Sequence, residues 1–189
     1  MLSTFSTAFD QFIEQYIAQS DDDNKGLVTE YDEQWPSDCL LDTKSAKDGQ
    51  DIYWRPALRN EPGALSNLNT ALEIEIPLSL QEYFGRYYSL DLNAVHPRGP
   101  VTLLQVWNET DYDRLQKNLI SHVLMKRRLK QPETVFFALT DEDDFIISIE
   151  LATHAVVLER VGKDDLEVLA PDLATFIAAL SPQPQLVML

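Results

Sequence analysis

The sequence predicts an α+β fold in one domain, with a mostly antiparallel or mixed central sheet flanked by helices. Three observations lead there. The β-rich runs cluster and do not alternate with helical segments, which argues against a doubly wound α/β sheet. Three of them, T-V-F-F-A-L-T at 134–140, F-I-I-S-I-E-L at 145–151 and A-V-V-L-E-R-V at 155–161, are separated by connections short enough for a meander. A chain of 189 residues, 44% hydrophobic and 24% charged, suffices for one sizeable core. The domain is assigned to residues 1–181, and residues 182–189 are read as a C-terminal tail that frays.

Phe5, Phe9, Phe12, Ile13, Tyr16 and Ile17 recur at helical spacing, so residues 4–19 are predicted as an amphipathic helix capped near Ser3 or Thr4. From 21 to 51 the periodicity fades, and ten acids against three lysines give 3 − 10 = −7 in an irregular connection. W-P-S-D-C at 35–39 lies within it, and I-Y-W-R-P at 52–56 reads as an aromatic-rich strand stopped by proline. Leu72, Ile74 and Ile76 alternate with Glu73 and Glu75, the period of a strand with one buried and one wet face. Ser79 and Glu82 are spaced as a capping box for a helix running to Tyr87. H-P-R-G-P at 96–100 is a turn leading into the strand V-T-L-L-Q-V-W at 101–107.

Thr110 and Asp113 are spaced as the start of the next helix, Leu115, Leu119 and Val123 mark its apolar face, and Pro132 forbids its continuation. Its last turn is K-R-R-L-K at 126–130. With Glu109, Asp111 and Asp113 at the opposite end, these cations complement the helix dipole, by about 0.3–1 kcal/mol per charge. A phosphate contact and an internal salt bridge are the other roles open to them. After the meander, Pro171 is expected to open a final short helix over L-A-T-F-I-A-A-L.

The chain carries 15 basic and 31 acidic side chains, a formal net of −16. Such a field disfavours nucleic acid and anionic lipid and favours a basic partner. The lone Cys39 forms no intramolecular disulfide, and the N-terminus lacks the basic start and apolar run of a signal peptide. No stretch approaches the roughly 20 apolar residues of a membrane-spanning helix. A cytoplasmic location without direct membrane insertion is therefore expected. His96, His122 and His154 lack zinc-type spacing, Cys39 has no histidine nearby, the six glycines form no phosphate loop, and no nucleophile elbow occurs. No enzymatic activity, metal or cofactor is expected. His122, three residues after Leu119, is expected to be a hydrogen-bonded, partly buried histidine.

The run from L-L-Q-V-W-N-E-T-D-Y-D-R-L to L-K-Q-P-E-T-V-F-F-A-L-T, with P-S-D-C and I-Y-W-R-P upstream, resembles the Syd family of Gram-negative bacteria. The words that carry the likeness are Q-K-N-L-I-S-H, L-K-Q-P-E-T and Y-W-R-P, and it covers nearly the whole chain. The resemblance implies a Smi1/Knr4-like fold. It further implies a cytosolic protein, peripherally associated with the cytoplasmic face of the inner membrane, that docks on the SecY translocon channel as a checkpoint or negative regulator. An acidic concave surface would recognise basic cytoplasmic loops, and such loops are enriched in Lys and Arg. By position, that surface is assigned to Glu30, Glu73, Glu75, Trp107, Glu109, Asp111, Asp141, Glu142 and Asp143, with Trp107 as the aromatic anchor. The alternative is a toxin-immunity protein of the same superfamily, whose acidic face would block a basic toxin domain. A monomer is slightly favoured.

Overall fold

The computed structural model describes residues 3–20, 26–185 and 187. Helix α1 (Thr4–Ser20) begins at Ser3, whose hydroxyl accepts from the Ser6 amide at 2.9 Å, as the sequence predicts. Phe5, Phe9, Phe12, Ile13 and Tyr16 are buried. Two short antiparallel pairs follow: β1 (Val28–Glu30) with β2 (Asp51–Tyr53), and β3 (Ala57–Leu58) with β4 (Tyr87–Tyr88). Between β3 and β4 lie α2 (Ser66–Leu72) and α3 (Leu78–Gly85). Then come β5 (Leu92–His96), β6 (Gly99–Leu103), α4 (Glu109–Leu129), β7 (Thr134–Thr140), β8 (Phe145–Glu150), β9 (Val156–Arg160), β10 (Leu166–Ala170), α5 (Leu173–Ala178) and β11 (Ser181–Pro182). The main sheet has seven strands, antiparallel throughout, in the order β10-β9-β8-β7-β6-β5-β11.

The α+β class and the meander β7-β8-β9 stand as the sequence predicts them, while several local expectations change. Residues 72–76 form no strand. Leu68 and Leu72 share the buried face of α2, Glu73 closes that helix in the left-handed conformation (φ 53°), and the Ile76 amide donates to Asn69 Oδ1 at 3.0 Å. Leu72 and Ile76 still both point into the core, which is what their alternation reflected. Helix α3 starts after Pro77 with no side-chain cap, because Glu82 accepts instead from the Ser3 hydroxyl and so ties α3 to α1. The cap of α4 is Asn108, not Thr110: its Oδ1 accepts from the Asp111 amide at 3.0 Å. Asp172, not Pro171, caps α5 through the Thr175 amide at 2.7 Å. Strand β6 stops at Leu103, so Trp107 lies outside it. Of the described residues beyond Leu180, Ser181 and Pro182 pair with Val95 and Ala94, and Val187 pairs with Gly26. The acids at 21–23 lie outside the described residues.

The sheet is covered on both faces. Phe136 meets His122 of α4, while its neighbour Phe137 meets Tyr83 of α3 and Phe176 of α5. The two rings thus meet different helices, α4 on one side of the sheet and α3 and α5 on the other, where α1 packs against α3 and α5. Arg98, in the β5–β6 turn, holds Glu167 of β10 through two hydrogen bonds at 2.8 and 3.0 Å. A contact between strands so far apart in the sheet order shows that the sheet curls upon itself.

Under α4 lies a polar cluster. The Glu159 carboxylate, 1% exposed, accepts from Lys126 Nζ at 2.6 Å and from the hydroxyls of Thr134 and Ser148 at 2.9 and 3.0 Å. His122 is partly buried and 3.2 Å from Thr134 Oγ1, as expected. Arg127 holds Glu133 in a fork at 2.8 and 3.0 Å. Two cations of the K-R-R-L-K turn are thus internal salt-bridge partners, in addition to complementing the dipole.

A candidate acidic cleft between α2 and α4

The loop 59–65 arches from β3 to α2 and lies against the start of α4. Its path is fixed by backbone contacts: the Arg59 amide donates to Arg86 O at 3.0 Å and the Gly63 amide to Gly85 O at 2.9 Å. The approach is so close that a Cβ on Gly85 would lie 2.2 Å from Gly63 O, and one on Gly63 would lie 2.6 Å from Tyr112 Oη. Only glycine fits at Gly85, where the clash is with backbone, and a side chain at Gly63 would have to displace the Tyr112 ring. Leu65 then adopts the left-handed region (φ 40°), with its amide donating to Tyr112 Oη at 2.9 Å. A non-glycine residue held there costs about 1–3 kcal/mol, which the packing around a 0% exposed leucine must offset.

Between this loop and α4 opens a cleft of about 570 Å³. Four carboxylates line it, Asp38, Glu61, Glu109 and Asp113, against one guanidinium, Arg59, leaving a surplus of three negative charges. The Arg59 side chain is only 6% exposed and lies between two rings, 4.5 Å from the Tyr88 centroid and 4.7 Å from that of Tyr112. Its Nη2 donates to Glu109 at 2.7 Å, and the Tyr88 hydroxyl donates to the same carboxylate oxygen at 2.7 Å. Burial, reinforced by the bond to Glu109, pushes the Tyr88 phenol up to about 12, so it stays a donor. Burial likewise raises Tyr112.

The far wall is anchored by W-P-S-D-C. Trp107 Nε1 donates to Trp35 O at 3.0 Å, Asn108 Nδ2 donates to Pro36 O at 2.8 Å, and the Trp107 ring meets Trp54 edge-on at 6.1 Å. Asp38 is thereby brought to the rim. Beside it, burial pushes the Cys39 thiol up to about 11, which makes it an inert core group and not a nucleophile.

The nine residues assigned from sequence do not all come together. Glu109 lines the cleft, but it is held by Arg59 and Tyr88. Asp111 accepts from the Trp107 amide at 3.0 Å and so fixes the start of α4. Trp107 is only 6% exposed, so its indole is a core anchor for that start and is not offered to a partner. Glu30 is exposed at the end of β1, and Glu73 and Glu75 are exposed after α2. Asp141, Glu142 and Asp143 are exposed in the β7–β8 hairpin, where the first two line a separate cavity of about 220 Å³ at the mouth of the curled sheet. Sequence reasoning missed Asp38, Arg59, Glu61, Asp113 and Gln116. The one local signal was the charged stretch R-N-E-P-G ahead of a helix, and nothing local marks Arg59 as buried.

Among the described residues no group of three or more His, Cys, Asp or Glu is placed to hold a metal ion, and no helix is long and apolar enough to cross a membrane. Residues 6–182 match the family model described as Syd protein (SUKH-2). The chain is 42% identical over 182 residues to Protein Syd of Pseudoalteromonas atlantica, covering 96% of this chain and 98% of the relative. It is 39% identical over 188 residues to Protein Syd of Colwellia psychrerythraea, covering 94% and 92%. To Protein Syd of a Shewanella species it is 35% identical over 176 residues, covering 93% and 82%. A match of this extent, reaching from α1 to the last strand of the main sheet, places the chain in the Syd family.

Proposed function

We propose that this protein binds the basic cytoplasmic loops of the SecY channel through an acidic surface centred on the α2–α4 cleft, and that it acts there as a checkpoint or negative regulator. The observation that carries the reading is the cleft itself: four carboxylates with a surplus of three negative charges, on a chain of net charge −16. Basic loops on the cytoplasmic side of membrane proteins are the complementary surface. The protein works from the cytoplasm and reaches the membrane only through this partner. It carries out no catalysis.

Binding to SecY-containing nanodiscs, compared with empty ones, tests this. Association should weaken by at least about tenfold as salt rises from roughly 50 to 500 mM, since exposed charges are screened beyond a Debye length of ~10 Å. Reversing Glu61 and Asp113 to Lys should lower affinity by about a hundredfold, because like charges at an interface cost several kcal/mol. These two are exposed and hold no side chain among the described residues, whereas Glu109 and Asp111 are built into the fold. Reversing Asp141 and Asp143 tests the hairpin separately. Binding that ignores both salt and the Glu61/Asp113 reversal overturns the assignment to the cleft.

A further inference from the structure

Two side chains lining the cleft carry buried polar atoms that have no hydrogen-bond partner among the described residues. Arg59 uses only Nη2, leaving Nε and Nη1 unpaired on a side chain 94% shielded from solvent. Gln116 of α4, 4% exposed, lines the same cleft with its Oε1 unpaired. Buried donors and acceptors are nearly always satisfied, so three unmet positions in one cavity require an explanation. Three unmet positions are also a specification: donors from the guanidinium and an acceptor from the amide, within a ring of carboxylates. A free anion does not meet it, because the surrounding carboxylates outnumber the one guanidinium. Nor does a simple polycation, which has nothing to accept from Arg59.

We infer that the cleft recognises the main chain of a basic segment: a backbone carbonyl accepts from Arg59 Nε and Nη1, and a backbone N–H donates to Gln116 Oε1. The segment's Lys or Arg side chains meet Asp38, Glu61 and Asp113, a role that rests on the cleft being where a basic partner lands. A peptide group carries one strong acceptor and one strong donor, the complement of what stands unpaired here. The guanidinium is held in place for it: Tyr88 and Tyr112 clamp its plane and Glu109 fixes its far edge. A Cβ on Gly63 would approach Nη1 to 2.9 Å, so the loop lies thinly over a nitrogen that has almost no accessible surface, and the segment reaches it as the 59–65 loop gives way. Recognition of this kind selects charge and an exposed backbone and tolerates sequence differences among basic loops.

The test uses the full chain labelled with ¹⁵N and two probes of equal charge: a capped lysine–glycine peptide and a polyamine. The Arg59 Nε–H resonance should shift with the peptide and stay in place with the polyamine, and the peptide should bind about tenfold tighter, the effect of one charge-assisted hydrogen bond. Arg59→Lys keeps a cation between the rings but loses the fork, and Gln116→Met keeps volume but loses the acceptor. Either should bring the peptide down to the polyamine's affinity. The wild-type resonance shift decides the matter even where a variant fails to fold. Equal binding of the two probes with an unmoved Arg59 signal overturns main-chain recognition and leaves the acidic-surface reading standing. Binding of neither probe overturns both.

Discussion

Lys126 and Glu159 show how far a residue's role departs from its sequence setting. Lys126 sits among three other cations, yet only it turns beneath α4, where its ammonium is 2.6 Å from a carboxylate that is 1% exposed. Replacing a single partner of a buried pair leaves an uncompensated charge, so Lys126→Met should cost about 3–5 kcal/mol. The double variant Lys126→Met, Glu159→Gln should recover most of that loss, since the Gln amide oxygen still accepts from Thr134 and Ser148. Urea denaturation of the three proteins measures this, and equal stability of single and double variants would show that the pair is not what holds α4 down. Arg127 and Arg128 behave differently. Substituting both by Gln removes one partly exposed fork to Glu133 and dipole terms of about 1 kcal/mol in all.

At the scale of elements, the start of α4 shows what is legible locally and what is not. The sequence N-E-T-D-Y-D offers two overlapping caps, Asn108 with Asp111 and Thr110 with Asp113. Asn108 wins because it also donates to Pro36 O, a partner 72 residues away that no local pattern contains. Asn108→Ala should therefore cost more than the ~1 kcal/mol of an ordinary cap, with Thr110→Ala near neutral; thermal melts that rank them the other way would refute the assignment. The meander was legible because alternation and turn residues are local. Strands β5 and β10 were not, since each is defined by its neighbour, and Ser181–Pro182 pairs with a strand some ninety positions earlier. The same reason hid the cleft: Arg59, Tyr88 and Tyr112 come from three elements, and only the fold stacks them.

For the whole molecule, one buried and one partly buried histidine, His96 and His122, on opposite faces of the sheet set a pH response. Burial, aided by Arg98, holds His96 below its ordinary 6.5, and burial, aided by Lys126 and opposed by Glu159, does the same to His122. The unfolded chain therefore takes up protons near 6.5 that the folded chain refuses until lower pH. Stability contributed by these groups is intact above 6.5 and declines as pH falls from there toward the folded-state values. The urea midpoint should drop between about pH 7 and pH 5.5, and changing both histidines to Gln should flatten that slope. An unchanged slope in the double variant would assign the response to carboxylates instead. Asp10 belongs to a lower window. Burial opposes its ionisation, but hydrogen bonds from Arg86 and Tyr87 and the Arg86 charge outweigh this, so its contribution fades only as pH falls below about 3.8.

The last strand has a consequence for solution behaviour. Pro182 occupies the outer strand of the sheet beside β5, and a proline, lacking an N–H, is poorly suited to accept another strand. It therefore shields β5, whose Val95 is already 38% exposed, from templating a second chain. Removing residues 181–189 would spare every cleft residue yet uncover a continuous unpaired edge. The shortened protein should keep its affinity for a basic partner while forming concentration-dependent dimers or larger assemblies, visible as a rise in mass by light scattering. If it stays as disperse as the full chain, the edge is protected by some other feature of the fold.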